Sequence, residues 1–171
     1  MSKLDELYRW YPVYTHPRSE KKTADNLIKR GIQVYLPLQK TLKQWSDRKK
    51  WVEEPLFKSY LFVHISNKEY DQVIQTYGVV RFIYFSRQIA SIPDKQIQML
   101  QNYLSGQADP EITFEQLEKG QKVKIISGKL KGYEAELISW KQQQRVILRL
   151  DALGQSLILK ISAADVIPVF D

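Results

Sequence analysis

The run Glu54-Pro55-Leu56-Phe57-Lys58-Ser59-Tyr60-Leu61-Phe62-Val63 constrains the fold more than any other stretch of the chain. Read as a strand, it sends Tyr60 and Phe62 to one face and Leu61 and Val63 to the other, because successive side chains of a strand alternate. Both faces are then apolar, and a sheet built around the run needs two partners. Helices of the same chain can cover one face. A second, uncovered face would be an apolar patch of the kind that marks a docking site.

The flanking sequence supplies such a sheet. Tyr8 to Tyr14 is aromatic and β-prone, and Pro17 to Arg30 is helical, with Ala24, Leu27 and Ile28 at helix spacing and Gly31 placed to cap the end. Gln33 to Leu38 reads as a strand, Gln39 to Trp51 as a long polar hairpin loop, and Phe57 to Ile65 as the next strand. Asn67 is placed to cap a helix with Tyr70, Val73, Ile74 and Tyr77 on its apolar stripe, ended by Gly78. Val79 to Phe85 makes a fourth strand, and Pro93-Asp94 opens a last helix carrying Ile97, Leu100 and Leu104. The order β-α-β-β-α-β predicts a ferredoxin-like split βαβ domain, with helices over one sheet face and the other face open. Pro12 conflicts with that topology, because its strand is central and proline cannot donate to a ladder.

After Ser105 the pattern changes. Gly106 to Pro110 is linker-like, and Thr113 with Gln116 could form a capping box or an extended connection. From Gly120 onward Val123-Ile125, Ala135-Leu137, Val146-Leu148-Leu150 and Leu157-Leu159-Ile161 alternate with polar residues, and Val166-Ile167 follow. Five strands at most, in a short tail, are best satisfied by closure into a small barrel, which also removes open edges. The fold class expected is α+β: a ferredoxin-like domain over residues 1–105, a linker over 106–117 and an SH3-like barrel over 118–171.

Charge adds a partner class. The net charge is +7, and residues 1–51 hold 12 Lys and Arg against 5 Asp and Glu, while the rest of the chain is balanced. A localised excess of this size reads as a footprint for a polyanion. With no cysteine, the chain has no disulfide, thiolate nucleophile or thiolate-bound metal. No run approaches about 18 apolar residues, so no membrane helix is expected, and the polar start predicts a cytoplasmic protein without a secretory signal.

These residues carry a family likeness. Trp10-Tyr11, the block from Glu54 to Val63, Gly78-Val79-Val80-Arg81-Phe82 and Pro93-Asp94 resemble the N-terminal (NGN) domain of NusG-family transcription factors. Gly120 to Gly128, followed by Lys131-Gly132-Tyr133-Glu134-Ala135-Glu136-Leu137, resembles their KOW domain. The Pro-Leu-Phe-x-x-Tyr-Leu-Phe-Val form is similar to the operon-specific RfaH- and UpxY-like paralogues. The resemblance implies an elongation and antitermination factor that docks on the clamp helices of RNA polymerase, bridges the DNA cleft and suppresses pausing and termination.

By positional match, Tyr14, Phe57, Tyr60, Phe62 and Phe85 would form the clamp-helix pocket, a ring cluster of the type that dominates binding energy. His16, Arg18, Lys21, Lys22, Asn26, Lys29 and Arg30 would face the non-template DNA strand. In the hairpin segment, Lys43, Arg48, Lys49 and Lys50 stand among Trp45 and Trp51, a mixture suited to backbone attraction and base stacking. Glu69 to Asp71 match a region that touches the opposite jaw of the polymerase, without the hydroxyl-rich pattern of RfaH. Gly128 and Gly132 supply positive φ for a tight KOW turn, and the KOW partner would be a ribosomal protein or a termination factor. Val146 to Leu150 and Leu157 to Ile161 are strand-like, so a barrel rather than a helical hairpin is expected. The chain is expected to be a monomer without cofactors.

Two other classes compete. Lys58 to Ile65 partly matches the RNP1 signature of RNA-binding sheets, but Ser59 and Leu61 replace its small positions. A KOW-bearing, ribosome-associated protein is the related alternative. Enzyme chemistry is not expected: His16 and His64 lie far apart, no carboxylate pair accompanies a nucleophile, and no Gly-rich phosphate loop is present. Glu111, Glu115 and Glu118 read as a solvated linker face, and His64 as a satisfied strand histidine.

Overall fold

The structure is a computed structural model that describes residues 4–85, 87–106, 111–113, 120–140 and 143–169. The chain divides into two compact units, Met1–Ile97 and Gln98–Asp171. In the first, β1 (Arg9–Thr15), α1 (Glu20–Lys29), β2 (Gln33–Tyr35), β3 (Leu38–Gln44), β4 (Lys49–Pro55), β5 (Tyr60–Ile65), α2 (Tyr70–Ile74), β6 (Val79–Phe82), β7 (Tyr84–Phe85) and β8 (Gln88–Ile89) follow in order. Helix α3 (Asp94–Leu104) comes next. β2, β5, β1 and β6 form a four-stranded sheet in that order, while β3–β4 and β7–β8 are separate two-stranded sheets.

Alternation builds the first core. Tyr11 and Val13 of β1, Leu61, Val63 and Ile65 of β5 and Phe82 of β6 pack with Ala24 and Leu27 of α1, Ile32 and Val73 of α2. Each fully buried aliphatic of this set contributes about 1.5–3 kcal/mol relative to exposure. Pro12 fits because its carbonyl accepts from Ile83 N–H at 3.3 Å, so its missing N–H lies on the β6 side, where pairing has already ended at Phe82. No bond to β5 is lost.

Several element assignments differ from expectation. Gln39 to Trp51 is no loop but most of a seven-rung ribbon, from Leu38 opposite Pro55 to Gln44 opposite Lys49. Ser66 rather than Asn67 is the cap: with Glu69 closing a capping box it starts a 3-10 turn, Asn67–Glu69, that leads into α2, and α2 ends at Ile74, leaving Tyr77 outside the helix. Val79 to Phe85 is broken at Ile83, and its last two residues pair with Gln88–Ile89.

The second unit contains β9 (Glu111–Thr113), β10 (Gln121–Ile125), β11 (Glu134–Trp140), β12 (Gln143–Leu150), β13 (Gln155–Leu159) and β14 (Val166–Pro168). They form one antiparallel sheet in the order β14-β10-β11-β12-β13-β9. The expected linker is therefore interrupted by a strand, since β9 pairs with β13; residues 107–110 and 114–119, with Glu115, Gln116 and Glu118, lie outside the described residues. Ile138, Ile147 and Ile158 make a buried cluster, and Arg149 meets the Glu136 carboxylate at 2.9 and 3.0 Å. The segments Val146 to Leu150 and Leu157 to Leu159 are strands.

Candidate functional site

On the sheet face opposite α1 and α2, β1 and β5 place Tyr14 and Tyr60 as register partners. Their rings meet edge to face at 5.3 Å, and the Arg81 guanidinium, from the partner position on β6, lies 5.6 Å from the Tyr14 ring. Both tyrosines are half-buried and Arg81 is exposed. The ring pair is thus partly open to solvent, with a cation beside Tyr14, an arrangement that can grip a partner's apolar and acidic groups together.

The other predicted rings part company. Phe85 is 61% exposed, on the β7–β8 hairpin. Phe57 and Phe62, expected in an open pocket, are 1% and 0% exposed in this chain. The reason is local. Residues Leu56 to Ser59 are not strand but a turn, with Ser59 at φ 65 and its N–H held by the buried Glu20 carboxylate at 2.7 Å. Ser59 also accepts from Thr15 N–H at 2.8 Å, which fixes the turn against the end of β1. Phe57 is folded back so that its ring meets Phe62 edge-on at 5.9 Å, while Tyr35 stacks on Phe62 at 6.2 Å. Burial pushes the Tyr35 hydroxyl well above the usual phenol range. Phe57 and Phe62 are supports, and the solvent-facing members are Tyr14, Tyr60 and Phe85.

The basic residues of the first third fall into two neighbourhoods. Along α1, Lys22, Asn26, Lys29 and Arg30 share a stripe at helix spacing. Asn26 donates to the Tyr77 carbonyl at 3.2 Å, Arg30 donates to the Gln72 carbonyl at 3.4 Å, and Gln72 returns a bond to the Arg30 carbonyl at 2.6 Å. His16 is exposed and joins this side through its backbone N–H on the Gly78 carbonyl at 3.0 Å; Arg18, at φ 63, is exposed in the turn before α1. Helical spacing assigned Tyr77 to the core. It is instead 75% exposed, with the Lys22 ammonium 5.6 Å from its ring centre. The signal that could have found it is Gly78: the chain leaves the helix at Ile74 and turns toward a glycine at φ +99, which takes Tyr77 off the stripe.

Lys21 points the other way and donates to the Glu53 carbonyl of the β3–β4 ribbon at 2.8 Å. There Lys43 pairs with Glu54, and Arg48 lies 5.8 Å from the Trp45 ring, while Lys49 and Lys50 are exposed. In the turn before α2, burial raises the Glu69 carboxyl, but hydrogen bonds from Tyr8 and Ser66 outweigh it and hold that group below the ordinary carboxylate range. Glu69 is thus engaged in helix capping. His64 stacks on Trp10 at 4.9 Å and sets Nδ1 3.0 Å from Gln33 Oε1, in keeping with a satisfied strand histidine. In the second unit Gly128 and Gly132 adopt φ +69 and +92 around the buried Leu130. An added Cβ at either would meet open space, so backbone conformation alone demands glycine there. Among the described residues no cluster of His, Asp or Glu could hold a metal, and no helix is long and apolar enough to cross a membrane.

A split β-α-β sheet unit followed by an all-β unit, with rings and cations presented on the first, defines a two-part mixed α/β protein with the fold of NusG. The solved structure described as "Domain interaction in Thermotoga maritima NusG" matches at a TM-score of 0.54 and 20% identity, covering 95% of this chain and 98% of that one. The family model for NusG, described as transcription termination factor nusG, matches residues 8–101, and the chain belongs to this family of non-enzymatic transcription factors, which act in elongation and termination. The MjSpt4:Spt5 complex in conformation B covers 95% of this chain and 97% of that one at 20% identity, but at a TM-score of 0.33 the likeness carries no argument.

Proposed function

We propose that this protein is an elongation and antitermination factor of the operon-specific, RfaH- or UpxY-like kind. It grips the clamp helices of RNA polymerase with residues 1–105, contacts the upstream non-template DNA strand, and suppresses pausing and termination. Residues 118–171 are a KOW domain whose sheet takes in the strand Glu111–Thr113, and it docks a ribosomal protein or a termination factor. The observation that carries the reading is the Tyr14–Tyr60 pair with Arg81 beside it, half-open on the sheet face away from α1 and α2. A ring pair already fixed by strand register is pre-organised, so little rotamer freedom is lost on docking. The α1 stripe with Tyr77 supplies the cationic and stacking surface for DNA.

The test is capture of core RNA polymerase by the full-length chain. Tyr14→Ala with Tyr60→Ala should weaken capture at least tenfold while the circular dichroism spectrum is kept. Unchanged capture would move the docking face elsewhere. Phe62→Ala is unsuitable as a probe, because removing a fully buried Phe costs about 3–5 kcal/mol and would confound binding with folding. An in-vitro transcription assay on a paused template then reads the antipausing activity. An RNA-binding sheet of the RNP1 type is disfavoured by the burial of Phe62, since a base cannot stack on a covered ring. Co-purification with ribosomes instead of polymerase would favour the ribosome-associated alternative.

A further inference from the structure

Register pairs Pro12 with Phe62 and Tyr14 with Tyr60 across β1 and β5. In an antiparallel ladder, pairs that exchange backbone hydrogen bonds alternate with pairs that do not. Proline has no N–H, and the Pro12 carbonyl accepts from Ile83 on the other side, so Pro12–Phe62 is an unbonded pair. Tyr14–Tyr60, two residues along, is therefore unbonded as well. Side chains stand closest at such pairs, which is where the two rings meet at 5.3 Å. The bonds that hold the ring pair in place belong to its neighbours, Val13–Leu61 inside the sheet and Thr15–Ser59 at its end. The end rung is only half made. Thr15 N–H donates to the Ser59 carbonyl at 2.8 Å, but Ser59, at φ 65, donates its N–H to the Glu20 carboxylate at 2.7 Å instead of returning it to Thr15.

Glu20 opens α1 and lies on its buried stripe with Thr23, Ala24 and Leu27. A carboxylate in such a place is costly unless it is hydrogen-bonded, and its bond goes to the residue just before Tyr60. That residue in turn holds the one just after Tyr14. We propose that Glu20 is a positioning residue for the docking face: its carboxylate completes the rung that Ser59 leaves open, and so holds the Tyr14 and Tyr60 rings in their edge-to-face arrangement. Filling the stripe does not explain the residue, because an apolar side chain would leave the Ser59 N–H buried with no acceptor. Without the carboxylate the left-handed Ser59 is released, the end rung frays, and the ring pair loses the pre-organisation that favours docking. This rests on the docking reading of Tyr14 and Tyr60 proposed above, and adds to it a buried residue that acts through the backbone without touching the polymerase.

The experiment joins two readouts on the full-length chain: amide hydrogen exchange by NMR, which needs no polymerase, and capture of core RNA polymerase. Glu20→Leu keeps the stripe filled and removes the acceptor. It should speed exchange at Thr15 and Ser59 about tenfold while Tyr11 and Val63, deeper in the ladder, stay protected. Capture should weaken about fivefold. Glu20→Gln keeps a side-chain oxygen in place and should restore both readouts. Glu20→Asp, one methylene too short to reach Ser59, is the second variant should Glu20→Leu not fold, and the same losses are expected of it. Unchanged exchange at Thr15 without the acceptor overturns the proposal. So does an equal loss of protection at Tyr11 and Val63, since Glu20 would then be a general stabiliser. A frayed rung with wild-type capture also overturns it, provided that Tyr14→Ala with Tyr60→Ala does weaken capture. If that double change leaves capture intact, the docking reading is what fails, and exchange alone still decides whether Glu20 holds the rung.

Discussion

At the residue scale, the sharpest constraint is the meeting of Gly78 and Thr23. Gly78 has φ +99, and a Cβ there would lie 2.1 Å from Thr23 Oγ1, so both conformation and space exclude a side chain. Gly78→Ala should lower the unfolding free energy by about 2 kcal/mol or more, read by urea denaturation. Thr23 should behave oppositely: its hydroxyl is buried with no hydrogen-bond partner, so Thr23→Val removes an unsatisfied group at nearly constant volume. A gain of up to about 1 kcal/mol is expected, and a loss larger than that would mean the hydroxyl has a partner in solution. Phe57 teaches the complementary lesson. Its sequence context reads as strand, but the left-handed Ser59 turns the chain and converts a presumed surface ring into a brace for Phe62.

At the element scale, the short turn that starts the second helix depends on Ser66 and Glu69. Lys68 N–H bonds Ser66 Oγ at 3.3 Å, and Ser66 N–H bonds the Glu69 carboxylate at 3.0 Å. Ser66→Ala should cost about 1 kcal/mol. Because Glu69 is held below the usual carboxylate range when folded, its contribution is fully present above the unfolded pKa and is lost as pH falls through the lower folded value. Acidification from about pH 5 to about pH 3 should therefore destabilise the wild type more steeply than Glu69→Gln, in pH-dependent urea unfolding. Parallel slopes for the two proteins would remove Glu69 from the acid response. The ribbon is the element whose character was least legible. Its polar composition reads as loop, and only cross-strand pairing over seven rungs reveals that it has two faces.

At the scale of the whole molecule, the net charge of +7 resides in residues 1–51, and the remaining residues balance. DNA binding should accordingly respond to salt through the first unit. Lys22→Gln with Lys29→Gln should reduce the log–log salt slope of single-strand binding by about 1.4, at about 0.7 per phosphate contact. Lys124→Gln with Lys131→Gln, an equal change in the second unit, should leave the slope unaltered. An unchanged slope in the first pair would remove the α1 stripe from the DNA contact.

The core β-α-β-β-α-β order, the all-β character of the tail and the place of the charge excess followed from sequence alone, because period, turn chemistry and charge are local properties. Which of Tyr14, Phe57, Tyr60, Phe62, Tyr77 and Phe85 meet solvent was decided only by tertiary structure. Alternation says which side of a strand a ring leaves from, but exposure depends on what the rest of the chain lays over that side, and that is a sum over contacts distant in sequence.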